Sequence, residues 1–502
     1  MQLPLIDLVV FFVYLLGIIL FGVSFSFKGR TSNDFQTGGG RLPAWALGMS
    51  IFATYVSSIS FLALPGNAYQ SNWNVFVFGI SIPIAAYMAV RYFVPLYRSL
   101  RSESAYFYLE ERFGPWARTY ASVCYLLTQL ARMGAIMYLL ALPMHALLGW
   151  DVGLIIVVTG VSVILYSMLG GIEAVVWTDA VQAVLLIAGA IACIVVIFVS
   201  MPEGPAQVFS IAMENQKFSL GSMDLDFTTS TFWMVLVYGL FINLQNFGVD
   251  QSYVQRYVSA RTDAEAKKST LLGSLLYIPV SFLFLFIGTA LYSFYQANPE
   301  NLPAELQLSG NADKVFPHFI ASELPLGLTG LLIASVFAAG MSTVSTSINS
   351  SATLLLSDHY QRYINPQISE KQSLRFLRIA SLTMGGLSVL VGLAFNGVSS
   401  ALEAWWALSS IFSGGILGLF FLGLILNKTK KPNVIPAMIV GVLAIAWVSL
   451  SPVLFSEGSI FRSQLHTNMT IVVGTMTIFL LGFLFTWLVQ KENGKPIKSS
   501  SD

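Results

Sequence analysis

Long apolar runs alternate with short polar loops along almost the whole chain. A hydrocarbon layer needs roughly 20 apolar residues per helical crossing, and about thirteen runs meet that length. The first six are Leu5 to Phe25, Leu42 to Tyr69, Val75 to Leu96, Thr119 to Leu148, Val152 to Met168 and Ala174 to Val199, the last two joined at Gly170-Gly171. Thr229 to Val249, Leu271 to Tyr295 and a run around Phe337 to Ala352 follow; Arg378 to Phe395, Trp405 to Leu426, Val434 to Leu450 and Met469 to Val489 complete the set. Two runs are interrupted. The second holds Tyr55, Ser57, Ser58 and Ser60 ahead of Pro65-Gly66; the seventh holds Asn243, Gln245 and Asn246 and ends at Asp250-Gln251, which opens a basic loop. Polar interruption of an apolar helix is the pattern of a discontinuous helix whose freed backbone groups line a cavity. The two lie five crossings apart, and five is odd, so an inverted repeat of five helices plus five is expected. That divides the chain into a leading helix and loop (1–41), a first repeat (42–200), a second repeat (201–426) and two additional helices with a tail (427–502).

The ninth run reads FAAGMSTVSTSINSSA and is crowded with hydroxyls. Ser342, Ser345 and Thr346 stand at i, i+3 and i+4, so one helix face carries all three oxygens. Hydroxyls in hydrocarbon ordinarily bond back to the carbonyl four residues earlier. At this density, and beside unwound carbonyls such as those of Ala53 and Val56, they are also a ligand set for a dehydrated hard cation. Asp179 lies some way inside the sixth helix, where a lone carboxylate is costly; a cation held by Asp179, Ser342, Ser345 and Thr346 would compensate its charge. A proton-coupled carrier would use the same acid, and the hydroxyl cluster favours sodium. Arg132 lies near the middle of the fourth helix, where a charge costs at least about 2.5 kcal/mol. It either pairs with an acid such as Asp179 or Glu173, or presents a guanidinium fork to a substrate carboxylate. Ser57 and Ser60 are candidates for polar contacts to substrate, with Phe78, Asn246 and Phe247 as cavity walls.

Composition narrows the function. Of 502 residues 55% are hydrophobic and only 10% charged, with a mean hydropathy of +0.72, far outside soluble domains. This is an all-α polytopic membrane protein with no room for a soluble catalytic domain. The first run lacks a basic leader and a small-residue cleavage site, so a retained helix is expected. With the amino terminus outside and the carboxyl terminus in the cytoplasm, inside loops hold 21 of the 26 Lys and Arg, the positive-inside signature. A net charge of +1 gives no reason for nucleic-acid binding, and nothing calls for a partner chain, so a monomer in lipid is expected. Cys124 and Cys193 read as core residues. The four histidines have no metalloprotease spacing, and Gly38-Gly39-Gly40 precedes no Lys-Ser/Thr, so neither an intramembrane enzyme nor an ATP-driven pump is indicated. A channel or sensor on the same fold is the alternative class, and the short tail beginning QKENGKPIKSSSD holds no signalling domain.

LGGIEAVVWTDAVQ at Leu169 to Gln182, NFGVDQSYVQRYVSA at Asn246 to Ala260 and FAAGMSTVSTSINSS at Phe337 to Ser351 resemble the sodium/solute symporter family, and the similarity spans essentially the whole chain. The resemblance implies a LeuT-like core of ten helices, with the first crossing outside it, working by alternating access. It implies a common sodium (Na+) site formed by carbonyls of Ala53, Val56 and Ala339 with hydroxyls of Ser342 and Thr343. A second site, present in part of the family, would use Asp179, Ser342, Ser345 and Thr346. Where sugar-transporting members carry polar and acidic groups this chain has Tyr55, Ser60 and Gly79, which speaks against a neutral hexose. It is most similar to the bacterial sialic acid symporters, in which an arginine placed like Arg132 pairs with the sugar acid's carboxylate; this implies sialic acid as substrate and the bacterial inner membrane as location. Proline, pantothenate and short carboxylates are the alternatives.

Overall fold

A computed structural model describes residues 3–27, 31–100, 102–307, 312–395, 415–426 and 434–492. The chain runs through α1 (Leu5–Ser24), α2 (Ala44–Tyr55), α3 (Ser58–Gln70), α4 (Phe76–Leu100), α5 (Pro115–Leu148) and α6 (Val152–Ser200). It continues through α7 (Phe232–Val249), α8 (Gln251–Ser259), α9 (Asp263–Ala297), a shorter α10 (Ala312–Ser322) and α11 (Leu328–Leu354). It closes with α12 (Glu370–Ala394), α13 (Ile416–Ile425), α14 (Ile435–Leu454) and α15 (Thr470–Glu492).

Among the described residues ten helices are long and apolar enough to cross a membrane, and α2 with α3, bent by 55°, make eleven if the pair is one span. The 49 residues of α6 would extend about 73 Å at 1.5 Å per residue, more than two hydrocarbon thicknesses. They are broken at Gly171 (φ 56°, ψ −158°), so α6 contains the expected fifth and sixth crossings. Only glycine suits that conformation, and a Cβ there would also sit 2.8 Å from the Phe35 carbonyl oxygen. The described part of the expected eleventh run is α13; its portion before residue 415, the basic residues Lys28, Arg30, Arg101, Lys428, Lys430 and Lys431, and the tail from 493 onward lie outside the described residues.

Both interrupted runs are broken helices. In the second, Val56 leaves the helical region (φ −84°, ψ 117°) and Ser57 starts α3, its Oγ accepting from Ser60 N–H at 3.4 Å. Pro65 and Gly66 do not break the helix; they lie inside α3. In the seventh, Asp250 is extended (φ −75°, ψ 126°) and caps α8, its Oδ1 accepting from Ser252 N–H at 2.8 Å. Here the sequence reading needs correction. The stretch after Asp250 is a buried helix, not a basic loop, and Arg256 is fully buried. One end of each broken span meets the other: Leu42 N–H donates to the Ser259 carbonyl at 3.2 Å, beside a bridge between Leu42 and Ala260.

The hydroxyl-rich α11 is the central post, with every residue buried except Leu328 and Leu331. An apolar helix covered on all sides must be packed by other helices throughout, and α2, α5, α6 and α12 surround it. Its first turn is capped from α1: Asp7 Oδ1 accepts from Gly327 N–H at 2.8 Å and Gly330 N–H at 2.7 Å, satisfying donors that a helix start leaves open. Other loop residues are also fixed: Lys217 Nζ donates to the Tyr69 and Ser71 carbonyls at 2.6 and 3.1 Å, closing the end of α3.

The broken span is held against α9 at Gly288, where a Cβ would lie 2.0 Å from the Pro65 carbonyl oxygen. Backbone cannot yield there as a flexible side chain would. Gly288→Ala is therefore expected to destabilise the detergent-solubilised protein by about 1–3 kcal/mol, read as a lowered thermal unfolding temperature; an unchanged temperature would mean that α3 shifts freely.

Candidate functional site

The last bond of the α2 ladder is Val56 N–H to the Phe52 carbonyl at 3.0 Å. The carbonyls that follow lie beyond the ladder, as at any helix end. Among the described residues no hydrogen bond reaches the carbonyls of Ala53 or Val56, while that of Thr54 faces Arg132 Nη2 at 3.4 Å. The break between α7 and α8 is treated differently. There the Phe247 and Gly248 carbonyls accept from Tyr257 and Tyr97 hydroxyls at 2.8 and 2.6 Å. One break keeps its oxygens free and the other has them closed by tyrosines.

Across from the free carbonyls stands α11. Ala339 and Thr343 are almost fully buried, Ser342 is fully so, and the Ser342 hydroxyl has no hydrogen-bond partner. Thr343 Oγ1 donates back to the Ala339 carbonyl at 3.2 Å, and Ser345 Oγ to the Ser342 carbonyl at 3.0 Å, which leaves the lone pairs of both hydroxyls directed elsewhere. Two unpaired carbonyls and one unpaired hydroxyl fit a hard cation. Among the described residues no three His, Cys, Asp or Glu side chains group as a metal site, so the available donors are neutral oxygens and a single carboxylate.

That carboxylate is Asp179, and it is not alone. Arg256 Nη2 donates to Asp179 Oδ2 at 2.9 Å and to Thr346 Oγ1 at 2.7 Å, Arg256 Nε to Ser50 Oγ at 2.7 Å, and Nη1 to the Ser252 carbonyl at 2.6 Å. Ser50 Oγ donates in turn to Asp179 Oδ2 at 2.6 Å. Thr54 spends its one proton on the Ser50 carbonyl at 2.8 Å, so in its 3.2 Å contact with Thr346 the donor is Thr346. Both bonds to the carboxylate use Oδ2. Asp179 Oδ1 is buried without a partner.

Arg132 takes neither of the acids weighed for it. Asp179 is held by Arg256, Glu173 has contacts of its own, and among the described residues Arg132 is in no ion pair. Its guanidinium is half-buried over the α2 break, within electrostatic reach of Asp250 at the α7 break. Around it Tyr55 stacks on Phe247 (5.3 Å, 14°) and meets Phe78 at 6.5 Å and Tyr277 at 4.6 Å. The Tyr55 hydroxyl donates to Asn243 Oδ1, with Asn246 beside it. Ser57 and Ser60 are half-buried at the start of α3. Gly79 faces α9, where a Cβ would touch Ser281 Oγ at 3.7 Å.

Sequence reasoning missed Arg256, Asn243 and Thr54. The signal for Arg256 was present: Tyr253, Val254, Tyr257 and Val258 continue a helical apolar spacing past Asp250.

The model of the sodium:solute symporter family matches residues 35–441. The sodium/sialic acid symporter SiaT of Proteus mirabilis is 33% identical over 482 residues, 95% of this chain and 94% of that protein. The sodium/sialic acid symporter NanT of Aliivibrio fischeri is 33% identical over 485 residues, 95% and 92% respectively. A solved Na+-coupled sialic acid symporter, in a substrate-bound outward-open state that reveals a novel sodium site, superposes with a TM-score of 0.87 at 31% identity, over 97% of this chain and 98% of that one. A similarity this long in sequence, repeated in the arrangement of the helices, makes the chain a member of the sodium:solute symporter family, a sodium-coupled transporter and not an enzyme.

Proposed function

We propose that the protein imports sialic acid (N-acetylneuraminate) with two sodium ions by alternating access in a bacterial inner membrane, amino terminus outside. The observation that carries the substrate assignment is Arg132: a guanidinium at membrane depth, in no ion pair among the described residues and set over the α2 break. A cation that makes no ion pair inside a bundle, with the acid Asp250 in reach but not in contact, is suited to an anionic ligand, and a planar fork suits a carboxylate better than a point charge does. Relatives over 95% of the chain are sialic acid symporters, which supports the same ligand here. In this reading Ser57, Ser60 and Asn246 meet the hydroxyl and amide groups, Tyr55, Phe78 and Phe247 wall the cavity, and Gly79 leaves room behind Phe78. The repeats are residues 42–200 and 201–426, flanked by 1–41 and 427–502; the pair of broken helices supports that division.

The first sodium would be held by Ala53, Val56, Ala339, Ser342 and Thr343. The second would be held by Asp179, Ser342, Ser345 and Thr346, on the carboxylate oxygen that Arg256 does not use. Ser342, unpaired and shared by both sets, couples the two ions. Both lie where α2 meets α11, so sodium joins the broken helix to the post and thereby favours the state in which the cavity is formed.

The first test is uptake of labelled sialic acid into proteoliposomes under an imposed sodium gradient. Arg132→Ala is expected to lose at least about 30-fold in substrate affinity. Uptake that survives the change returns Arg132 to a structural role; no uptake by a wild type that sodium still stabilises moves the search to proline, pantothenate and other carboxylates. In the same assay Asp179→Asn is expected to bring the sodium Hill coefficient down towards one. A wild-type coefficient retained in that variant would remove Asp179 from the ion pathway.

A further inference from the structure

Gln182 is 1% exposed, and neither its amide nitrogen nor its amide oxygen has a hydrogen-bond partner. Buried polar groups are almost always bonded, and leaving both ends of an amide bare is costly. The same neighbourhood holds three more unpartnered atoms: the Tyr14 hydroxyl, Asp179 Oδ1 and Ser342 Oγ. They are neighbours in space. Gln182 stands one turn after Asp179 on α6, at i+3, on the same face. Tyr14 of α1 faces Gln182 at more than hydrogen-bond length and lies within electrostatic reach of Asp179. Tyr166, whose hydroxyl donates to the Met341 carbonyl at 3.3 Å, borders Tyr14, Gln182 and Ser345. Four oxygens and one amide nitrogen without partners thus surround the side of Asp179 that Arg256 leaves open. One cation shared among the four oxygens would account for them together.

We propose that Gln182, backed by Tyr14 of the leading helix, completes the second cation site by supplying a neutral amide oxygen, directly or through one water, to the ion held by Asp179 and Ser342. The inference rests on the second sodium site put forward above and adds two residues and one further helix to it. The chemistry suits the position. The ion pair of Asp179 with Arg256 is already neutral, so a sodium ion brings an uncompensated positive charge into a buried place. Further neutral oxygens spread that charge without adding an acid that would have to be neutralised when the ion leaves. Tyr14 has one proton to give, and the Gln182 amide can turn either end towards it, so the pair can orient itself to the occupant. The leading helix, which lies outside the ten-helix core, would then be part of the ion machinery.

The test uses the purified full-length protein without substrate, so that it does not depend on the sialic acid assignment. Sodium-induced thermal stabilisation is titrated for wild type, Gln182→Leu, Gln182→Glu, Tyr14→Phe and Asp179→Asn. Gln182→Leu is expected to raise the half-saturating sodium concentration about 10-fold or more, the usual scale for a supporting group at a metal ion. Gln182→Glu, which keeps an oxygen, should hold half-saturation at or below the wild-type value, a rescue that a merely structural role would not give. Tyr14→Phe removes one oxygen at nearly constant volume and should shift the titration in the same direction as Gln182→Leu. Wild-type sodium dependence in Gln182→Leu overturns the proposal. If that variant does not fold, wild-type dependence in Tyr14→Phe together with weakened dependence in Gln182→Glu overturns it. A shift in Asp179→Asn with none in the Gln182 and Tyr14 variants defeats this inference alone, whereas no shift in Asp179→Asn defeats the second site with it.

Discussion

Removing a guanidinium and a carboxylate from water costs several kcal/mol for each ion, and an excellent local geometry is needed to offset it. Arg256 and Asp179 meet that demand with four donated hydrogen bonds on the arginine and two accepted by one carboxylate oxygen. The partners come from α2 through Ser50, α6 through Asp179, α8 itself through Ser252 and α11 through Thr346. A pair that strict fixes four helices relative to one another. It also divides one carboxylate into an oxygen committed to structure and an oxygen without a partner.

The two broken helices are counterparts in topology and opposites in chemistry. The first interrupts its ladder with two extended residues, Val56 and Ser57, the second with Asp250 alone, and each restarts on a side-chain cap, Ser57 or Asp250 itself. At α7 the freed carbonyls are closed by Tyr257 and Tyr97, as buried acceptors ordinarily are. At α2 those of Ala53 and Val56 are not. Inverted symmetry therefore makes two breaks, and nearby tyrosines close carbonyls at only one of them. The tyrosine-sealed break faces the aromatic cavity, where Tyr55, Phe247 and Tyr277 pack.

Much of this was legible in the sequence because it depends on length and local pattern. Apolar runs near the bilayer thickness gave the crossings, polar interruptions marked the two broken spans, and the i, i+3, i+4 hydroxyls placed Ser342, Ser345 and Thr346 on one face. What could not be read depends on distant partners. Arg256 finds Asp179 across 77 positions; the local apolar spacing shows that it lies on a helix, but not which acid it meets. Pro65 and Gly66, which weaken helices in isolation, lie inside α3, packed against Gly288 of α9. The freedom of Arg132 from the acids weighed for it was also invisible, since it follows from Asp179 being committed elsewhere.

The cap that Asp7 places on α11 has a consequence for biogenesis. The acid and the amides of Gly327 and Gly330 are separated by 320 and 323 positions. At about 5–20 residues per second of synthesis, the first helix waits on the order of tens of seconds, already in the membrane, before its partner is made. For that interval its carboxylate lacks these two amides, and the helix must keep the acid near the interface. The start of α11 is thus completed by a segment made long before it, and α11 settles only when α1 is brought back to it.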